Sequence, residues 1–343
     1  MIGKSIFIWN IEDCFDGDIP KIVDALQAGR FQSAILHSVN LDSWASDNRK
    51  NLTMALRNAG IHPIGGAAVY GADPGQEGFD AAQLCATYDL DTFVFDVEAR
   101  FDAVSNSDSA VTKLLQTFKQ WAPNCKAGFC WWPMYQSQIG ASWHPKKVLW
   151  AAMDPNYGDA DFGMPMMYWN WGNDAFDAEK FAEESLKQWY AITDKPLVPV
   201  GRAYIGDGGV AMPPAILAFY DLMRKLEGIE GIAWWSMQHA LDTKALPGVW
   251  GALASRNPFG WVVEPEPNHD AEVEVIATVK AARINFRSTP EVKTGNALGL
   301  LNRGTSGTIL ERKTDSHWNT WVRVSVEGWL SEKYYGSILT EVE

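Results

Sequence analysis

The feature that most constrains this chain is a rhythm. Short apolar, β-rich runs recur eight times, at Ile6–Ile11, Ser33–Val39, His62–Tyr70, Thr92–Glu98, Ala127–Trp132, Gly163–Trp169, Leu197–Ile205 and Ile229–Met237. Helix-like stretches lie between them, among them Ile19–Gly29, Trp44–Ala59, Phe79–Tyr88, Ser109–Trp121, Ala178–Ala191 and Ala215–Leu226. The runs are apolar almost throughout instead of alternating, the pattern of strands covered on both faces. Eight strand–helix units at a spacing of about 30 residues predict an α/β fold, a (β/α)8 TIM barrel. An open doubly wound sheet competes with it, but no Gly-x-Gly-x-x-Gly follows the first run.

The rhythm stops at Glu264-Pro-Glu-Pro-Asn-His-Asp-Ala-Glu272, where prolines alternating with acids stiffen the chain and supply nothing for a core. The expected organisation is a barrel over residues 1–262, a linker over 263–273 and a small all-β domain over 274–343. In that last part Val275–Ala281, Ala297–Leu301, Gly307–Lys313, Trp318–Val326 and Gly328–Leu330 read as short strands. The strings Asn285-Phe-Arg-Ser-Thr-Pro290, Gly299-Leu-Leu-Asn-Arg-Gly304, Trp321-Val-Arg-Val324 and Gly328-Trp-Leu-Ser-Glu-Lys-Tyr-Tyr335 follow one another there. In this order they resemble the bacterial SH3 domain. The resemblance implies an SH3-like barrel that docks onto cell-wall peptidoglycan, with Trp329, Tyr334 and Tyr335 as candidate wall contacts.

The net charge is −13, and it is unevenly placed: from Glu272 onward nine basic residues balance nine acidic ones, leaving 20 basic against 33 acidic upstream. Such a field repels phosphate backbones, so nucleic acid is not an expected partner. No stretch approaches the ~18 continuous apolar residues of a membrane span, so no membrane insertion is expected. The N-terminal run Met-Ile-Gly-Lys-Ser-Ile-Phe-Ile-Trp enters a strand at once, without a separate apolar region or small-residue cleavage site. It reads as a protein made in the cytoplasm without a signal peptide. The cysteines, Cys14, Cys85, Cys125 and Cys130, form no Cys-x-x-Cys pair. Cys125 and Cys130 would stand roughly 16 Å apart on an extended strand, too far to bridge. Four buried thiols, no metal, no cofactor and a monomer are the expectations.

In a barrel of this type the reacting groups sit at the C-terminal strand ends. The fourth run, Thr92-Phe-Val-Phe-Asp-Val-Glu98, ends on two acids spaced two apart. On a strand, Asp96 and Glu98 therefore face the same side. Paired carboxyls at the end of a buried strand raise one another's pKa, as burial does, giving one protonated acid beside one ionised carboxylate. Glycoside hydrolysis asks for this pair most directly. The competing reading is a salt bridge to Arg100 or a loop cap. Aromatic and polar residues close the other strands: Trp131 and Trp132 on the fifth, Tyr168 and Trp169 on the sixth, Arg202 and Tyr204 on the seventh, Trp235 and Gln238 on the eighth. Such faces stack on sugar rings and such polar tips bond hydroxyl and acetamido groups. Asn10, Glu12, His37 and Tyr70 complete the candidate substrate contacts, and Gly71–Gly78 reads as a rim loop.

Eight βα units with Asp-x-Glu closing the fourth strand, Met-x-Tyr at the sixth and Trp at the eighth resemble the glycosidase barrels, nearest the family 25 muramidases and more distantly the family 18 chitinases. The resemblance implies cleavage of β-1,4 bonds beside an N-acetylated sugar, with Glu98 as proton donor, Asp96 orienting the acetamido group or stabilising charge, and Tyr168 contacting the substrate nearby. Two positions depart from those patterns. Asn10 stands where the muramidases carry a first-strand Asp, and Val94 where the chitinases carry a further Asp. The expected activity is that of a muramidase or phage-type lysin acting on peptidoglycan at the bacterial wall. The alternatives are a non-catalytic glycan-binding scaffold and an endo-hydrolase of chitin-like glycans.

Overall fold

The computed structural model describes residues 2–44, 47–137, 140–170, 174–241 and 247–259, with the backbone of strands between 276 and 342. The eight sequence runs become β1 (Gly3–Ile8), β2 (Ser33–Ser38), β3 (His62–Val69), β4 (Thr92–Val97), β5 (Lys126–Trp131), β6 (Phe162–Met167), β7 (Val200–Arg202) and β8 (Gly231–Trp235). All eight pair in parallel, each with its sequence neighbour, and β1 closes on β8 through Gly3↔Gly231 and Lys4↔Ile232. Helices follow the strands in the sequence. This is a (β/α)8 barrel.

The alternation of side chains along each strand divides the core in two. Phe7, Ile35, Ile64, Val94, Phe162, Met164, Val200 and Ala233 point into the barrel and pack on one another. Their neighbours, such as Ile6, Leu36, Phe93, Phe95, Trp131, Met167 and Trp234, point outward into the layer shared with the helices. Both sets are buried, which is why the runs carry no polar alternation.

The first strand starts three residues before the predicted Ile6, because Lys4 and Ser5, polar in sequence, are fully buried. Lys4 Nζ donates to the carbonyls of Gly29 (2.6 Å) and Arg256 (2.8 Å), satisfying its charge beneath the barrel. The predicted rim loop Gly71–Gly78 is also corrected, since a helix already runs from Pro74 to Tyr88. Asp73 caps it by accepting from the Gln76 amide, and proline fixes its first turn. Gly78 of that helix touches the helix Ser107–Trp121, where an added Cβ would sit 2.3 Å from the Leu114 carbonyl oxygen.

Contacts divide the chain into units Met1–Trp261 and Val262–Glu343. In the second unit, antiparallel strands occur at Ile276–Val279, Arg283–Arg287, Ala297–Asn302, Ser306–Thr314, Thr320–Val324, Gly328–Tyr334 and Thr340–Val342. Trp329 and Tyr334 fall on the strand Gly328–Tyr334. Their side chains, Tyr335 and the expected linker at 263–273 lie outside the described residues.

Candidate active site

A cavity of about 550 Å³ opens at the C-terminal end of the barrel. Gly66 of β3 lies between His37 of β2 and Val94 of β4, and Ala68 lies beside Asp96 in register. The His37 ring crosses over β3 and brings Nε2 to 3.0 Å from Asp96 Oδ2. His37 and Asp96 are both buried, at 3% and 7% exposure. The other oxygen, Asp96 Oδ1, has no hydrogen-bond partner among the described residues. On the far side of β4, Cys130 of β5 lies in register with Asp96. Burial, first, and then the charges of Asp96 and Glu98 hold its thiol well above the usual range, so Cys130 stays a neutral wall.

Glu98 follows the strand directly, one residue beyond Val97, and its carboxyl lines the same cavity as Asp96. It occupies the N-cap position of the short helix Ala99–Asp102 without a side-chain cap bond. The Arg100 guanidinium lies over the Tyr70 ring, 4.9 Å from its centroid. Neither competing role foreseen for these acids is therefore filled. Burial, and then the neighbouring charges of Asp96, Asp207 and Asp102, push Glu98 up to about 7. The residue keeps contact with solvent at the cavity mouth. Its carboxyl is thus protonated over the acidic half of the neutral range and can give that proton away.

Aromatic rings complete the enclosure. Trp235 of β8 packs on Phe7 (5.1 Å between centroids), on His37 (5.3 Å) and on Trp9 (6.0 Å). Tyr168, immediately after β6, meets Tyr204 edge-on at 5.5 Å. Burial, and then the negative groups around it, hold the Tyr168 phenol well above the usual range, so it remains a hydrogen-bond donor. Tyr204 is set by a clamp. Buried Arg202 donates to the carbonyls of Gly206, Gly209 (3.1 Å) and Tyr168 (3.2 Å), fixing a hairpin formed by Ile205–Gly206 and Gly209–Val210. At its tip Asp207 accepts the Tyr204 hydroxyl and borders the cavity.

Of the residues singled out from sequence, Asp96, Glu98, His37, Tyr70, Tyr168, Tyr204 and Trp235 meet at this cavity. The others lie elsewhere. Asn10 bonds Asp13 (2.8 Å) in a neighbouring surface depression, and Glu12 accepts from Asn48 outside the cavity. Trp169 is fully buried in the outer layer on Phe219, because consecutive strand residues face opposite ways and Tyr168 takes the inward position. Trp132 donates its indole N–H to Asp102 (2.8 Å) and stacks on His144 at 4.2 Å. Gln238 is buried behind Trp9, whose amide it accepts at 3.4 Å. The cavity also takes in His239, for which the sequence leaves pocket and core open, and Asp207 and Arg100, which the sequence reading did not assign to it. The Asp207-Gly208 pair signalled a tight turn, and both residues have positive φ (47° and 75°), but a turn signal says nothing of where its carboxylate points.

No protein-family model matches the sequence, and neither does any curated protein. Solved structures do match in shape. A GH18 chitinase from Pseudoalteromonas aurantia superposes with a TM-score of 0.54 at 11% identity, over 74% of this chain and 99% of that one. A GH2 β-galacturonidase from Eisenbergiella tayi gives 0.53 at 10% identity, over 76% of this chain and 52% of the other. A glucosidase from Croceicoccus marinus gives 0.50 at 12% identity, over 74% and 70%. At such identities the likeness establishes the fold, a (β/α)8 barrel, and the chemistry rests on the site itself.

Proposed function

We propose that this cavity is the active site of a glycoside hydrolase that cleaves a β-1,4 bond beside an N-acetylated sugar. The observation that carries the reading is the pair on β4: Glu98, held up to about 7, and buried Asp96, both lining one aromatic-walled cavity. Protonated Glu98 gives its proton to the glycosidic oxygen as the bond from that oxygen to the anomeric carbon breaks. The acetamido oxygen of the same sugar closes on the anomeric carbon, and its N–H is accepted by Asp96 Oδ1, the oxygen that lacks a partner. Water then attacks the anomeric carbon, breaking its bond to the acetamido oxygen and giving up a proton to the Glu98 carboxylate, which restores the acid and the acetamido group. Tyr168 supplies a donor beside the reacting sugar, and Trp235 a face for its ring.

Three of the solved structures similar to this chain are named as a chitinase, a β-galacturonidase and a glucosidase, which supports glycan chemistry on this fold. The finer reading is a muramidase-like enzyme acting on peptidoglycan at the bacterial wall in the manner of a phage lysin. The ordered motifs from Asn285 to Tyr335 support it, because they resemble a bacterial SH3 module that would hold the enzyme on the wall. To test the substrate, purified protein is incubated with peptidoglycan and with N-acetylglucosamine oligomers, and the sugar at each new reducing end is identified by mass. Muramyl ends from peptidoglycan support the muramidase, whereas cleavage of the oligomers alone moves the reading to chitin-like glycans. Binding without new ends from either would leave a scaffold and end the hydrolase reading.

A further inference from the structure

All four cysteines are buried, but their surroundings differ. Cys14 Sγ lies 3.5 Å from the Asn10 carbonyl oxygen, and Cys130 stands in register with Asp96 on the neighbouring strand. Among the described residues only Cys85 and Cys125 bring two sulfurs into contact, Sγ to Sγ at 3.0 Å. That is closer than the ~3.5–4.0 Å at which two carbon atoms pack, although sulfur is the larger atom. The two residues belong to different elements. Cys85 lies in the last turn of the helix Pro74–Tyr88, and Cys125 in the turn that joins the helix Ser107–Trp121 to β5. The backbone is held at both. The Leu90 amide donates to the Cys85 carbonyl at 2.8 Å, the Cys125 amide to the Ala122 carbonyl at 3.0 Å, and Lys119 Nζ to the Cys125 carbonyl at 2.9 Å. A surface depression of about 330 Å³, lined by Cys85, Cys125, Trp121 and Asn124 among others, gives a small molecule a way to the pair. The cysteines are 40 residues apart in sequence, and β4 with Asp96, followed by Glu98, lies wholly between them.

We propose that Cys85 and Cys125 are a redox pair that closes to a disulfide in the folded protein when a peroxide enters the depression, stapling the segment that carries Asp96 and Glu98. The inference does not rest on the hydrolase reading. The sulfur of one cysteine attacks a peroxide oxygen and the O–O bond breaks, leaving a sulfenic acid and releasing water. The second sulfur attacks the first, the S–O bond breaks, and the departing hydroxide takes the second thiol's proton as water. Two thiols thus give up two electrons and two protons, and one hydrogen peroxide becomes two waters. The sulfurs need to draw together by only about 1 Å to reach the ~2.05 Å of the bond. The hydrogen bond to Cys125, and then burial, hold the Cys85 thiol well above its usual range, so its thiolate is scarce and closure takes a small oxidant and time. Once made, the link removes freedom from the unfolded chain over the whole enclosed segment.

To test it, the full chain is purified under reductant, freed of it and held folded with hydrogen peroxide. It is then quenched, unfolded and labelled with a maleimide to count the remaining thiols, and a non-reducing digest locates any link by mass. Two of the four thiols should disappear together, in one linked peptide that joins Cys85 to Cys125. The melting temperature should rise by about 5 °C or more, and dithiothreitol should reverse both changes. Cys14→Ala should give the same link and the same rise. Cys85→Ala and Cys125→Ala should give neither, the surviving partner passing on to sulfinic acid. Near-UV circular dichroism shows whether each variant is folded, and the link in the parent decides without them. Four thiols surviving in the parent, a link through Cys14 or Cys130, or a link that forms only in urea overturns the redox pair. A Cys85–Cys125 link without a rise in melting temperature overturns the staple.

Discussion

His37 Nε2 stands 3.0 Å from Asp96 Oδ2 across β3, a strand that neither residue belongs to, with Gly66 in register with His37 and Ala68 in register with Asp96. Both groups are buried, and among the described residues His37 is the one basic side chain paired with Asp96. Removing one partner of a buried polar contact leaves the other desolvated without it. His37→Phe is therefore expected to destabilise the barrel by about 1–3 kcal/mol. Chemical denaturation checks it. A loss below ~0.5 kcal/mol would mean that Asp96 does not depend on His37.

Tyr168 sits beside both acids with its phenol held protonated. Tyr168→Phe removes one donor and little volume. The expected result is a fall of about 10- to 100-fold in kcat with the melting temperature within a few degrees of the parent. A change confined to KM would place Tyr168 in binding alone.

The ionisation of Glu98 links function to stability with opposite signs. Its pKa is raised, so the folded state binds the proton more tightly than the unfolded one. Folding stability from this group is complete below about 4.5, declines as pH rises, and is lost above about 7. Glu98→Gln never ionises. It should match the parent at pH 4 and exceed it by about 1 kcal/mol at pH 8, a figure reduced for the group's contact with solvent. Equal thermal stability at both pH values would show that Glu98 is not pressed by its neighbours.

Away from the site, Gly78 is a packing requirement between two helices. A Cβ there would stand 2.3 Å from the Leu114 carbonyl oxygen, on backbone that cannot rotate away. Gly78→Ala should cost about 2–3 kcal/mol despite its better helix propensity, read from the denaturation midpoint. A gain in stability would refute the close contact.

The eight strands were legible because burial on both faces writes itself as continuous apolar runs, and Asp96 and Glu98 were legible because carboxylates are conspicuous at the end of such a run. What the runs conceal is direction. Tyr168 and Trp169 are adjacent in sequence, yet one lines the cavity and the other packs on Phe219, a parity that needs the strand's exact phase. Lys4 was hidden by a different cause, since its charge is satisfied by carbonyls 25 and 252 residues away. Asp207 reaches the cavity only through the hairpin clamped by Arg202, a long-range geometry that no local pattern encodes. The Asp73-Pro74 start of the third helix, by contrast, was written in the sequence as a cap followed by proline and was read there as a loop.

The most direct measurement of the central claim is the pH dependence of reducing-end release by the parent and by Glu98→Gln on the same glycan. With Glu98 as the acid, kcat/KM should fall on the alkaline side with an apparent pKa near 7, and the variant should lose at least a hundredfold of the parent's rate at pH 6 and show no such limb. An alkaline limb that persists in the variant, or a variant within threefold of the parent, would contradict the assignment of Glu98 as the group that protonates the leaving oxygen.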